Sequence, residues 1–172
     1  LEALGLEPKE LVKIKTPFPK ITYNEAIERL HKRGFKIPWG EDFGFNEERA
    51  LTKDLGGPLF VYAYPKKIKA FYVKAYPDKP DVVMSADFIV PRIGELTTGG
   101  ARVDDKEELL RSLLEFGLRP EDYEWYIDLR KYGTVPHTGF GMGVERLLAW
   151  MLNLESVMDT IPFPRTTRRS YP

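Results

Sequence analysis

Two carboxylates and two guanidiniums dominate the chemistry this chain can do. Asp87, Glu95 and Arg102 lie within ADFIVPRIGELTTGGAR, and Arg146 follows the glycines of GFGMGVER. Carboxylates are the hard oxygen ligands that Mg²⁺ prefers, and a guanidinium is a planar fork matching a carboxylate, an amide or a phosphate. The set suits a polar or acidic substrate held beside a metal–phosphate group. On composition alone the commoner arrangement is that such charges are solvated or paired with one another.

The glycines favour a site. Gly99 and Gly100, just before Arg102, are expected to let a ligand lie against the backbone. Gly139, Gly141 and Gly143 are expected to do the same ahead of a helix whose amides and dipole favour anions. They do not form a dinucleotide-binding signature, because no strand–GxGxxG–helix unit with a downstream acid is present. His137, in Pro-His-Thr-Gly, reads as a loop residue that bonds locally or touches substrate, not as a base. With His31 the only other histidine, imidazole cannot build a metal site here.

The elements that must position these groups follow from periodicity. Thr22 and Glu25 form a capping-box pattern, which predicts a helix over 22–33 ending at Gly34. Asn46 is the expected cap of a second helix, running to Leu55 before Gly56-Gly57-Pro58. LFVYAY, IKAFYVKAY and DVVMSADFIV are rich in β-branched and aromatic residues and predict three successive antiparallel strands, with GELTTGGAR as a fourth. KEELLRSLLEFG predicts a helix ending on Gly117, and Pro120 opens another through YEWYIDLRKYG. VERLLAWMLNL, after the Gly-rich PHTGFGMG, is apolar enough to be expected buried. The proline-rich tail IPFPRTTRRSYP is expected to be extended. The class is therefore α+β, a mainly antiparallel sheet flanked by helices.

The chain has 172 residues, 42% hydrophobic and 30% charged, an ordinary balance for one globular domain. Its 26 basic residues offset 26 acidic ones, so any contact with RNA must be local. Without Cys there is no disulfide or thiolate metal site, and with no long apolar stretch or signal peptide the expectation is a soluble, cytoplasmic protein free of membrane. The start at Leu1 reads as the middle of an ordered segment, since LEALGLEPKELVKI carries apolar residues at helical spacing. A fragment is expected.

As an ordered set, WGEDFG, YPKKIKAFY, GELTTGGAR, WYIDLRKYGTVPHTGFGMGVERLL and IPFPRTTRR resemble the aspartyl/asparaginyl group of class II aminoacyl-tRNA synthetases, from about residue 17 to the end. DLRKYGTVPHTGFGMG and DTIPFPRT resemble the asparaginyl branch more than the aspartyl one. The resemblance implies the C-terminal portion, residues 1–172, of a class II synthetase/biotin synthetase-like catalytic core that includes the third signature motif. Motifs one and two and the anticodon-reading OB-fold domain are not found in this chain.

The implied activity is ATP-dependent activation of asparagine and its transfer to tRNA(Asn), with Mg²⁺, in a homodimer. Arg146 is then expected along ATP, and Glu95 and Asp87 at the metal. Arg102 would read the amino-acid side chain, while His137, Gly139, Gly141, Gly143 and Gly99 line the adenosine and amino-acid pocket. Glu41 and Asp42 are candidates to accept from the substrate amide, and Arg165 to anchor the motif-three end. Thr98, Gly100 and Ala101 stand where the family has Gly, Ser and Gln, which puts in question a serine oxygen expected to help hold the metal. The competing readings are an aspartyl enzyme, a synthetase-like asparagine synthetase working without tRNA, and a non-catalytic binding module.

Overall fold

The computed structural model describes residues 14–171, so the helical spacing expected over residues 1–13 lies outside the described residues. Strand β1 (Lys20–Thr22) leads directly into helix α1 (Tyr23–Lys32). Thr22 accepts the Glu25 amide at 3.2 Å, and the Glu25 carboxylate accepts the Thr22 amide at 2.7 Å. This reciprocal pair satisfies two otherwise orphaned donors, as the capping pattern requires. The face of α1 bearing Tyr23, Ala26, Ile27 and Leu30 is buried. Helix α2 (Phe45–Asp54) begins one residue before the expected cap: Gly44 is the N-cap, and no side chain bonds there. Glu47 and Glu48 instead place negative charge in the positive first turn. Arg29 of α1 and Arg33, its C-cap, converge on Asp54 at the far end of α2, which ties the two helices together.

The sheet runs in the order β1-β2-β4-β5-β6, with β2 (Leu59–Pro65), β4 (Lys79–Val90), β5 (Gly94–Ala101) and β6 (Thr138–Met142); β3 (Ala75–Tyr76) pairs with β4 off this path. The pairings are antiparallel as expected, except that β1 lies parallel to β2. Alternation along β4 buries Val83, Ser85, Asp87 and Ile89 on one face. Helices α1 and α2 cover part of that face, closing a core that includes Tyr23, Leu30, Leu51, Val61 and Tyr64. The opposite face carries the rings of Phe18, Phe60 and Phe88, with centroids 4.7–4.9 Å apart for the two closest pairs.

Three expectations change. IKAFYVKAY is not a continuous strand: Lys66–Ile68 is a 3-10 turn, only Ala75–Tyr76 forms a short strand, with a register shift between its two residues, and Val73 makes an isolated bridge to Arg102. Its alternating side chains go to separate destinations, Lys69 to Asp87, Phe71 to a second core, and Tyr72 beneath Arg102. Conversely, TGFGM was expected as a Gly-rich connection and is strand β6, paired from Thr97↔Met142 to Ala101↔Thr138. Its glycines weaken strand propensity, but the ladder with β5 supplies what the side chains do not. Helix α5 (Val144–Met151), expected buried, buries only Ala149 among the described residues; Val144, Leu148 and Met151 remain exposed. It follows the sheet-edge strand β6 and packs against the 3-10 turn Val157–Thr160, so most of its apolar surface has no neighbour among the described residues.

Helices α3 (Lys106–Glu115), capped by Asp105, and α4 (Glu124–Lys131), entered through a 3-10 turn at Pro120–Tyr123, close the second core of Val103, Leu109, Leu113 and Ile127. The buried Arg130 donates to the Val103 carbonyl at 2.8 Å and stacks on Tyr126, fixing the chain just beyond Arg102. Among the described residues, the tail after Thr160 has no helix, as expected.

Candidate active site

The antiparallel register brings the sequence-distant charges together. Asp87 on β4 pairs with Thr98 on β5, which pairs with Gly141 on β6. Arg102 leaves the end of β5, where its amide donates to the His137 carbonyl at 3.0 Å, and its guanidinium lies 4.8 Å from the Tyr72 ring centroid. Arg146, in the first turn of α5, donates to the main-chain carbonyl of Glu95. Glu95, Arg102, Arg146 and Gly141 thus line one cleft of about 360 Å³, joined by Lys69 and Tyr72.

The glycines act differently from one another. A Cβ on Gly139 would stand 3.0 Å from Arg102 Nη2, so its absence is what lets that guanidinium cross β6. Gly141 is open, with nothing within 4 Å of a Cβ, and Gly143 is the N-cap of α5. At Gly99 and Gly100, however, the space is taken by protein. A Cβ would meet Phe140 at 2.9 Å in the first case and the Met84 carbonyl at 2.7 Å in the second. The expected close approach of ligand to these two is replaced by close approach of neighbouring strands, although the backbone of Gly99 still borders the cleft. The serine that the family pattern places at position 100 would clash with β4 unless the strands moved apart.

Asp87 is deeply buried and already satisfied. Lys69 Nζ bonds one carboxylate oxygen at 2.6 Å and the Thr98 hydroxyl donates to the other. The Lys69 ammonium also sits 3.9 Å over the Tyr64 ring, whose hydroxyl is pushed well above its usual range by burial and then by the Asp87 charge. Glu95 is only half-buried. Its carboxyl is raised by burial and next by the charge of Asp87, with Lys69 and Arg146 opposing. No cluster of three or more His, Asp or Glu suited to a metal exists among the described residues. Mg²⁺ ordinarily takes one or two carboxylates together with substrate phosphates, so the donor set, with Glu95 facing the cleft, fits that ion and not an all-protein cage.

His137 is exposed, with Nδ1 2.8 Å from the Val135 carbonyl, a local contact. Glu41 and Asp42 do not line the cleft; the Glu41 carbonyl instead accepts from the Tyr23 hydroxyl at 2.6 Å. Arg165 lies in the irregular tail and is exposed. Lys69, Tyr72, Thr98 and Glu48 were not anticipated. Lys69 sat in a segment whose pattern read as a strand, and Glu48 lies in the first turn of α2, with no motif to mark it. Its carboxylate accepts the Glu95 amide at 3.0 Å, and its pKa is raised to about 7, chiefly by burial, with the Glu95 charge adding to the rise and the amide and Arg146 opposing it.

The pattern of the family described as tRNA synthetases class II (D, K and N) matches residues 2–167. An asparagine–tRNA ligase of Thermococcus kodakarensis is 53% identical over 165 residues, which cover 95% of this chain and 38% of that protein. The crystal structure of asparaginyl-tRNA synthetase from Pyrococcus horikoshii complexed with asparaginyl-adenylate superposes with a TM-score of 0.87 at 51% identity, covering 92% of this chain and 37% of that one. An aspartyl-tRNA synthetase from Entamoeba histolytica gives 0.83 at 32% identity, covering 91% and 33%. The chain therefore spans about two fifths of the length of the relatives it matches.

Proposed function

Since this chain belongs to the class II tRNA synthetases of the D, K and N group, we propose that it is the C-terminal part of the catalytic domain of an asparagine–tRNA ligase. The complete enzyme would activate asparagine with ATP, transfer it to tRNA(Asn), and work as a homodimer. The convergence of Glu95, Arg102 and Arg146 on one cleft carries this reading. Asparagine is preferred to aspartate because the two asparaginyl proteins compared above are 53% and 51% identical to this chain and the aspartyl structure 32%.

In the reaction, an oxygen of the asparagine carboxylate attacks the α-phosphorus of ATP and the bond to pyrophosphate breaks. A ribose hydroxyl of tRNA then attacks the acyl carbon and AMP departs. Neither step needs a protein nucleophile, so the side chains act by position and charge. Arg146, beside the open Gly141 and the Gly143 cap, would lie along the ATP phosphates. Arg102, held flat between Tyr72 and Gly139, would donate to the side-chain carbonyl of asparagine. Mg²⁺ bound to the phosphates would spread their negative charge, with Glu95 as its protein ligand. Asp87, both oxygens already engaged, would support the site from behind through Lys69 and Thr98. His137, Gly99 and Gly139 would border the amino-acid side of the pocket.

The test is amino-acid-dependent exchange of pyrophosphate into ATP by the complete polypeptide. Exchange with asparagine and little with aspartate is expected. Exchange with aspartate alone would overturn the substrate assignment, and exchange with neither would overturn the activity.

A further inference from the structure

The main chain at Glu95 is held from both sides by charged groups of two different helices. From α2, the Glu48 carboxylate accepts the Glu95 N–H at 3.0 Å. From α5, Arg146 donates to the Glu95 carbonyl. The residue before it is Gly94, at φ +85, where a Cβ would stand 2.2 Å from Glu48 Oε2. Glycine is thus required at position 94 both by the backbone angle and by the carboxylate packed against it. The turn between β4 and β5 needs such a restraint, because Arg92 also has a positive φ of 72 and the register shifts between Phe88 and Ile89. Left to the ladder alone, the peptide that aims the Glu95 side chain would sit at an irregular strand end.

Resting on the functional reading above, we propose that Glu48 is a positioning residue for the ATP half of the site. By fixing the Glu95 amide, it sets where the Glu95 carboxylate and the Arg146 guanidinium meet the nucleotide phosphates. Arg102 stands at the other end of β5, held by Tyr72 and by the His137 carbonyl, and does not depend on this clamp. The effect is therefore specific to one substrate. Loss of Glu48 disturbs ATP use and leaves recognition of the amino-acid side chain in place.

The experiment uses Glu48→Ala and Glu48→Gln in the complete polypeptide. Two readouts are taken: the apparent KM values for ATP and asparagine in pyrophosphate exchange, and hydrogen exchange of the peptide containing Glu95, followed by mass spectrometry. In Glu48→Ala the KM for ATP should rise about tenfold, the scale of one hydrogen bond to a charged group. The KM for asparagine should change by less than about twofold, and the Glu95 segment should exchange faster. Glu48→Gln, which keeps an acceptor oxygen, should restore most of both losses. Equal effects on the two KM values, no effect on either, or unchanged exchange at Glu95 in Glu48→Ala would overturn the proposal. If the wild type catalyses no exchange of pyrophosphate, the activity reading falls, and the hydrogen-exchange readout alone decides whether Glu48 holds Glu95.

Discussion

Arg102 and Arg146 show how two copies of one side chain take different roles from what surrounds them. Arg102 is sandwiched between the Tyr72 face and the bare backbone of Gly139, which fixes the plane of its fork. Arg146 is exposed and, among the described residues, rests on a single main-chain carbonyl. Arg102→Ala should chiefly raise the KM for asparagine, and Arg146→Ala chiefly that for ATP; steady-state kinetics with each substrate varied in turn would show the division, and identical profiles would contradict it. The buried pair of Lys69 and Asp87 gives a second prediction, on stability. Lys69→Met strips a buried carboxylate of its counter-charge and should cost about 3 kcal/mol in urea unfolding, most of it recovered when Asp87→Asn is added.

Among the elements, α1 was legible to within one residue at each end, Tyr23–Lys32 against an expected 22–33, because its signal is local. Thr22 and Glu25 satisfy each other within a single turn, and no distant residue is needed. Thr22→Ala should lower stability by about 1 kcal/mol in thermal unfolding while Thr22→Ser retains most of it. The segment from Lys66 to Tyr76 misled for the opposite reason. Its aromatic and aliphatic alternation satisfies the strand template, but Phe71 and Tyr72 are claimed by packing against α3, α4 and Arg102, contacts made with residues far along the chain. Strand β6 erred in the other sense. TGFGM has little intrinsic β preference, and only the neighbouring edge of β5 makes it a strand.

At the scale of the whole molecule, Glu48 couples the site to folding. Its carboxyl, ordinarily near 4.5, is raised to about 7 in the folded chain. Between these values the folded state binds more protons than the unfolded one, so this group's contribution to stability falls as pH rises from about 4.5 to about 7. Glu48→Gln should therefore gain stability over wild type across that interval, and the gain should vanish toward pH 4; a difference independent of pH would refute the assignment. The types and order of the chemical groups were present in the sequence: Asp87, Glu95, Arg102 and Arg146, the glycines between them, and the α+β class, because motif spacing and capping are properties of short stretches. Tertiary structure alone decided which of those groups are already spent. Lys69 and Thr98 saturate Asp87, strands β4 and β6 fill the space at Gly100 and Gly99, and Glu48 reaches Glu95 across 47 residues. Burial and hydrogen-bond partnership depend on residues brought close by sheet register and helix packing, and no periodicity along the chain encodes that proximity.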